Sequence, residues 1–182
     1  MAYDEHLKLI GKAIEKQDIT IWNKWRQDNP GIIPDLSGVD LRRTHLKHAA
    51  FQRVIFREAN LRGTDLTGAD LSGADLNRSN LVRTNFSEAN LTGANFSGAN
   101  LSEANLNEAN LSEANLSETL LLGALFLGAN LNKADFEQNA KELKPSQVKT
   151  AKNWEHAYFS RGVLEGLGLP PDHNEKLGKV PL

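Results

Sequence analysis

Residues 93–118 read GANFSGANLSEANLNEANLSEANLSE, in which Ala-Asn-Leu followed by two small or polar residues recurs. The same five-residue phase extends outward in both directions without a slip. Every fifth residue from Leu36 to Phe136 is Leu or Phe, which gives 21 repeat centres. Two residues before the centre stands Ala in 13 repeats, and the residue directly before it is Asn or Asp in 16. A fixed short period over more than half of a 182-residue chain indicates a repeat architecture.

A period of five fits neither regular secondary structure. On an α-helix each step of five residues turns by ~500°, so the leucines would spread around every side. In an unbroken strand an odd period would place successive leucines on opposite faces. The pattern therefore predicts a short extended segment and a bend in every repeat. Stacked segments of this kind pair their backbone groups between layers.

The A(D/N)LXX pattern over residues 34–137 resembles the pentapeptide-repeat family. The flanking sequences WNKWRQDNPGIIPDLSG (22–38) and QVKTAKNWEHAYFSRGVLEGLGLPP (147–171) are similar to cyanobacterial members. The resemblance implies an all-β solenoid, a right-handed quadrilateral β-helix with four repeats per coil. On this basis 21 repeats make about five coils, and residues 20 apart lie one above another on the same side.

Three regions are expected: an N-terminal α-helical cap over 1–34, the β-helix over 35–137, and a C-terminal helical segment and tail over 138–182. Capping helices are expected because the ends of a solenoid expose core and unpaired backbone. A helix over 4–16 and a second one after Asp18 are predicted before the repeats. After the repeats, Ser146 is expected to cap a helix through Tyr158, a further short helix to follow Ser160, and residues 172–182 to form a loose tail.

Charge is distributed unevenly along the repeats. Residues 36–85 carry 8 basic and 5 acidic groups, whereas residues 86–136 carry 1 basic and 6 acidic groups. The stacking rule also predicts the ion pairs Glu58–Arg78 and Arg83–Glu103. It places four arginines on one side near the N-terminal end, either as a binding surface for an acidic partner or as an ordinary solvated face: Arg42, Arg43, Arg62 and Arg83.

The repeats depart from their consensus at residues 119–128, TLLLGALFLG, where outward positions that carry Asn or Ser in other repeats are leucine. Leu120, Leu122, Leu125 and Leu127 are expected to form one apolar patch, and adjacent leucines on a polar surface need a cover. The C-terminal helix is the favoured lid. A homodimer or a partner protein is the alternative, and a monomer or weak homodimer is expected.

Several classes of function are disfavoured. The chain has no cysteine, which excludes disulfides and thiol chemistry, and its net charge of −2 argues against nucleic acid as a partner. His45 and His48 lack a foreseeable third ligand, so no metal and no cofactor are predicted. No apolar segment approaches the length of a signal peptide core or a membrane span, so a cytoplasmic protein without membrane contact is expected.

The sequence thus predicts a non-enzymatic module that binds an unknown protein partner. From the family resemblance, a cyanobacterial regulatory or adaptor role linked to heterocyst differentiation is the leading hypothesis. Gyrase protection by DNA mimicry, known for other members of the family, is the alternative. It requires a long acidic rod, which the basic N-terminal half does not provide.

Overall fold

The computed structural model describes residues 2–138, 140 and 142–179. Two helices precede the repeats and several short elements follow them, with the repeats themselves between. The elements are α1 (Ala2–Glu15), α2 (Thr20–Asp28), β1 (Asp135–Phe136), α3 (Pro145–Val148), a 3₁₀ turn (Trp154–His156), β2 (Tyr158–Phe159), α4 (Arg161–Leu167) and α5 (His173–Lys176).

The repeats form layers joined by parallel β-bridges between residues 20 apart. Asp40 pairs with Asn60, Asn60 with Asn80, and Asn80 with Asn100. The N–H of Leu41 donates to the carbonyl of Asn60 at 2.8 Å, and the N–H groups of Leu61, Leu81 and Leu101 make the same bond in the next layers. Within residues 35–134 each bridge is isolated rather than part of a longer strand, because a turn interrupts the extended backbone once in every repeat.

The Leu or Phe at each repeat centre is predicted to face the core, and all 21 are buried, at 2% exposure or less, which confirms that prediction. The alanines two residues earlier are buried with them, so the interior is filled by Leu, Phe and Ala side chains. Phenylalanine pairs meet edge to face, as at Phe51 and Phe56, whose ring centroids are 5.1 Å apart. This interior is close-packed hydrocarbon, and its burial supplies most of the stabilisation of the stack.

Helix α2 lies on the first layer through side chains that its sequence spaces on one face. Trp22 is fully buried against Phe51, and its Nε1 donates to the carbonyl of Ala50 at 2.9 Å. Asn23 accepts from the N–H of Ala50 and donates to the carbonyl of His48. The helix therefore occupies backbone groups that a further layer would otherwise pair.

The Arg26 guanidinium joins α2 to the repeats. It donates to the carbonyls of Ile32 at 2.7 Å and Gln52 at 2.9 Å, and the residue is only 9% exposed. We expect Arg26→Met to lower the free energy of unfolding by about 2–3 kcal/mol, because it leaves two carbonyls without their charged donor. Urea unfolding measures the change, with the exposed Lys24→Met as the control. Equal stability of the two variants would contradict this role.

The C-terminal segment differs from the predicted helix over 146–158. Helix α3 ends at Val148, its N-cap is Lys144 rather than Ser146, and Asn153 adopts a left-handed conformation with φ 56°. After α3, the backbone of the chain instead pairs with the last layer of repeats, as one layer pairs with the next. The N–H of Leu131 donates to the carbonyl of Lys152, and β2 pairs in parallel with β1. The residues after Val148 can either continue a helix or pair with the unpaired backbone N–H and C=O groups of the last layer, and in the structure they pair with the last layer.

Residues after β1 close the far end of the core. Phe159 is fully buried and stacks on Phe136, with centroids 5.5 Å apart and planes 13° from parallel. Helix α4 follows Ser160, where a short helix is predicted, and it ends at the left-handed Gly168. The expectation of a loose tail is wrong for residues 172–179. Helix α5 forms there, and the buried His173 contacts Phe159 and the carbonyl of Ala157. Residues 180–182 lie outside the described residues.

Lys179 links the C-terminal segment to the last layer of repeats through ion pairs. Its ammonium group contacts Asp135, lies 2.8 Å from Glu137 Oε2, and sits 4.8 Å from the centre of the Tyr158 ring. Burial alone lowers the pKa of Lys179, but its hydrogen bonds to Asp135 and Glu137 and the attraction of their charges outweigh burial. The net pKa therefore lies above its ordinary value.

A raised lysine pKa stabilises the fold below the unfolded-state pKa of about 10.4, and this contribution disappears as pH rises through the folded-state pKa. We expect Lys179→Met to cost about 1–2 kcal/mol at neutral pH, and the difference from wild type to shrink in alkaline solution. Urea unfolding of both proteins at about pH 8 and about pH 11.5 measures this difference in the free energy of unfolding. A difference that stays constant between the two conditions would contradict the ion-pair explanation.

Candidate interaction surface

The four predicted arginines lie in one column of stacked turns. The N–H of Arg43 donates to the carbonyl of Arg62 at 3.0 Å, that of Gly63 to Val82 at 2.9 Å, and that of Arg83 to Ser102 at 3.0 Å. The N–H of Glu103 continues the series to Leu122 at 2.7 Å. We call this stack of turns (42–43, 62–63, 82–83, 102–103 and 122–123) the arginine column.

Two of the arginines are neutralised within the protein. Arg42 forms a bidentate ion pair with Asp40, with hydrogen bonds of 2.7 and 2.8 Å. Arg83 forms one with Glu103, with hydrogen bonds of 2.8 and 3.3 Å. The hydrogen bonds from Arg83 hold the pKa of Glu103 below its usual value, and the positive charge of Arg62 acts in the same direction. Both pairs are solvent-exposed and contribute little to stability.

Arg43 and Arg62 differ from Arg42 and Arg83 in their ion pairing. Among the residues that the structure describes, neither guanidinium has an ion-pair partner. Both line an open groove of about 530 Å³ together with Asp40 and Arg42. Gly63 contributes no side chain to the stack beside Arg43. With four arginines and two carboxylates, the column has a surplus of two positive charges, which suits carboxylate groups of a ligand.

Of the two predicted ion pairs in the stack, only one forms. Arg83 pairs with Glu103, whereas no ion pair joins the described side chains of Glu58 and Arg78. Both pairs have the same 20-residue spacing, so spacing places side chains in neighbouring layers without fixing their rotamers.

The predicted lid does not cover the leucines. Leu122, Leu125 and Leu127 are 50%, 52% and 61% exposed, and Leu120 is half-buried. The C-terminal segment closes the end of the core instead. Phe159 stacks on Phe136 there, and β2 pairs with the backbone of the last layer.

One edge of the leucine patch does meet α3. Gln147 donates to the carbonyls of Leu121 and Ala124, at 3.2 and 2.7 Å, which fixes the helix beside the leucines. A groove of about 380 Å³ remains, lined by Leu125, Leu127, Gln147 and Thr150 among others. Gln147 and Thr150 were not predicted as part of this surface, because their position depends on where α3 packs against the repeats.

The other candidate groups do not assemble into a chemical centre. Among the described residues, no cluster of three or more His, Asp or Glu side chains could hold a metal ion, and this includes the surroundings of His45 and His48. No described helix is both long and apolar enough to cross a membrane.

Comparisons with known proteins agree with the repeat geometry. The family of pentapeptide repeats matches residues 35–73, 69–107 and 109–138, in eight copies. No curated protein matches the sequence. Among solved structures, the chain is similar to HetL, a pentapeptide repeat protein involved in heterocyst differentiation regulation from the cyanobacterium Nostoc sp. strain PCC 7120. The two are 35% identical with a TM-score of 0.52, over 53% of this chain and 46% of HetL.

Two further solved structures are more distant in shape. The pentapeptide repeat protein alr5209 from Nostoc PCC 7120 is 30% identical over 66% of this chain and 84% of its own, with a TM-score of 0.37. QnrB1, a plasmid-mediated fluoroquinolone resistance protein, is 19% identical over 69% of this chain and 79% of its own, with a TM-score of 0.30. The chain thus spans about half the length of HetL and most of the other two. Because the family matches more than half of the chain, the protein belongs to the pentapeptide-repeat family, whose members form right-handed β-helices.

Proposed function

We propose that the chain is a non-enzymatic protein–protein interaction module that binds an acidic partner through the arginine column. The observation that carries the proposal is that Arg43 and Arg62 have no ion-pair partner in the described part of the chain, beside two arginines that are neutralised. Surplus like charges stacked on one surface destabilise a fold slightly, so their presence is explained by a partner that neutralises them. Electrostatic complementarity of this kind supplies association rate and specificity.

The proposed framework is a right-handed quadrilateral β-helix of about five coils, with helices closing each end. The 20-residue bridges and the contacts of α2 and Phe159 support it. An interior packed with Leu, Phe and Ala leaves the outer surface as the place where a partner binds. A rigid surface of this kind suits recognition because little ordering is needed on binding.

The regulatory role is proposed from the likeness to HetL. A cyanobacterial adaptor that acts in heterocyst differentiation agrees with the 35% identity in the repeats. The likeness covers about half of HetL, so its partner is not carried over to this chain.

Gyrase protection by DNA mimicry is less well supported. Residues 36–85 have a balance of three positive charges, and DNA mimicry needs continuous negative charge along the rod. We expect the protein to leave the supercoiling activity of gyrase unchanged in the presence of a quinolone.

The experiment is affinity capture from a native lysate, with the recovered proteins quantified by mass spectrometry. We expect Arg43→Glu combined with Arg62→Glu to reduce recovery of the specific partner at least about tenfold without changing the thermal midpoint. Arg53→Glu combined with Arg78→Glu reverses the same charge elsewhere in the stack and is the control. Unchanged recovery with the first variant, or recovery of nucleic acid without protein, would contradict the proposal.

A further inference from the structure

The arginine column and the exposed leucines belong to one side of the stack. Leu122 ends the arginine column, because Glu103 donates to its carbonyl. Leu127 is the last repeat residue of the next column of turns, in which the N–H of Glu108 donates to its carbonyl at 2.9 Å. Leu125 lies between the two columns and bridges to Asn105 in the layer below. We call the surface between these two columns, from Arg43 and Arg62 to the three leucines, the docking face.

The two ends of the docking face offer different chemistry. The N-terminal end has the groove beside Arg43 and Arg62, with its surplus positive charge. The C-terminal end has the groove beside Leu125 and Leu127, where half or more of each leucine side chain meets solvent. The first groove suits carboxylates, and the second suits a large apolar side chain.

Between the two ends, Asn85 and Asn105 lie in the row that separates the two columns, and their side chains are already hydrogen-bonded. The side-chain amide of Asn85 donates to Thr67 Oγ1 at 2.9 Å, and that of Asn105 donates to Ser87 Oγ at 2.7 Å. Both asparagines also accept bonds from the turn that follows them, as Asn85 does from Ser87. Because these groups are satisfied internally, a ligand gains its specificity at the two ends.

The spacing of the layers sets the distance between the two ends. The three leucines lie in one layer of the stack. This layer is three layers from Arg62 and four from Arg43, which at ~4.8 Å per layer gives ~14–19 Å along the axis of the stack. An extended peptide covers that distance in about four to six residues at ~3.3 Å each. One short linear segment therefore reaches both ends.

We propose that the docking face binds a single linear segment of a partner protein that has acidic residues at one end and a large apolar side chain at the other. The segment lies along the stack, with its carboxylates at Arg43 and Arg62 and its apolar side chain between Leu125, Leu127 and α3. This inference rests on the proposed function and specifies the partner of the same surface. It also gives the exposed leucines a ligand in place of the lid that the fold does not provide.

The test is selection of binding sequences from a displayed random library of 15-residue peptides on the immobilised full-length protein. We expect enriched peptides that carry Asp or Glu and, four to six residues away, Leu, Phe or Trp. Each synthesised peptide is then measured by fluorescence anisotropy against wild type, Arg43→Glu/Arg62→Glu and Leu125→Ser/Leu127→Ser. Both variants are expected to weaken binding at least about tenfold, and only the arginine-dependent part is expected to fall with added salt.

Each alternative outcome is decisive. Peptides that depend on the arginines alone would overturn the two-ended segment and leave the proposed function standing. Peptides that bind both variants as well as wild type would place the docking site elsewhere on an interaction module. A library that yields no binding sequence would overturn recognition of a linear segment, while lysate capture would still test binding of a folded partner. Leu120→Ser, on the half-buried edge outside the groove, is the matched control for loss of a surface leucine.

Discussion

Leu76→Asp is expected to unfold the repeat stack. Leu76 is fully buried, and its neighbours above and below in the column are Phe56 and Phe96. A carboxylate there has no partner and no water, and an uncompensated buried charge costs more than the net stability of a typical domain. The measurements are the thermal midpoint and the amide spectrum by NMR, in which dispersed signals are expected to collapse.

Two comparisons separate the charge from the loss of volume. Leu76→Ala, which removes only apolar contacts, is expected to lower the free energy of unfolding by ~2–5 kcal/mol. Arg78→Asp places a carboxylate two residues away on an exposed turn and is expected to change stability by less than about 0.5 kcal/mol. A folded Leu76→Asp variant with a normal midpoint would contradict a dry core at this position.

Deleting residues 145–182 is expected to give an unstable, self-associating protein. The truncation removes Phe159 from Phe136 and removes the carbonyls of Thr150, Lys152 and His156 that accept from the last layer. It therefore exposes both an aromatic core surface and a row of unpaired backbone groups, which together favour edge-to-edge pairing. Size-exclusion chromatography with light scattering measures the association, and the thermal midpoint measures the loss of stability.

We expect this association to be caused by the open end of the core rather than by the leucine patch. Replacing Leu122, Leu125 and Leu127 by serine in the truncated protein is therefore expected to leave it self-associating. The same three substitutions in the full chain are expected to leave it monomeric and equally stable, since these side chains are exposed. A truncated protein that becomes monomeric after the leucine substitutions would show that the patch, and not the end of the core, drives association.

The unbroken five-residue period made the interior predictable from the sequence. Each Leu or Phe from 36 to 136 is buried because the repeat leaves it one inward position, and the left-handed residue of each turn permits the bend. The helices before the repeats were predictable for the same kind of reason. Leu7, Ile10 and Ile14 recur at helical spacing in the first helix, as Ile19, Trp22 and Trp25 do around the second. Local pattern and tertiary packing agree in these parts of the chain.

The C-terminal segment was not predictable because two interactions compete there. Val148, Ala151 and Trp154 have helical spacing, but the unpaired backbone of the last layer takes residues 152 and 158 into bridges. The candidate surface was predictable only in part. The stacking rule placed Arg43 and Arg62 together and predicted the ion pair between Arg83 and Glu103. The ion pair that neutralises Arg42 and the missing pair between the described side chains of Glu58 and Arg78 depend on side-chain geometry. That geometry decides which arginines remain available to a partner.

The most direct test of an interaction module that binds along the arginine column is site-specific photo-crosslinking in the native lysate. Ser102 lies in the arginine column, and Ser112 holds the same turn position two repeats further on, so the two serines form a matched pair. A benzophenone side chain introduced at position 102 is expected to form a crosslinked band with one protein partner, and the same group at position 112 is expected to form none. Equal crosslinking from both positions, or crosslinking from position 112 alone, would contradict binding along the arginine column.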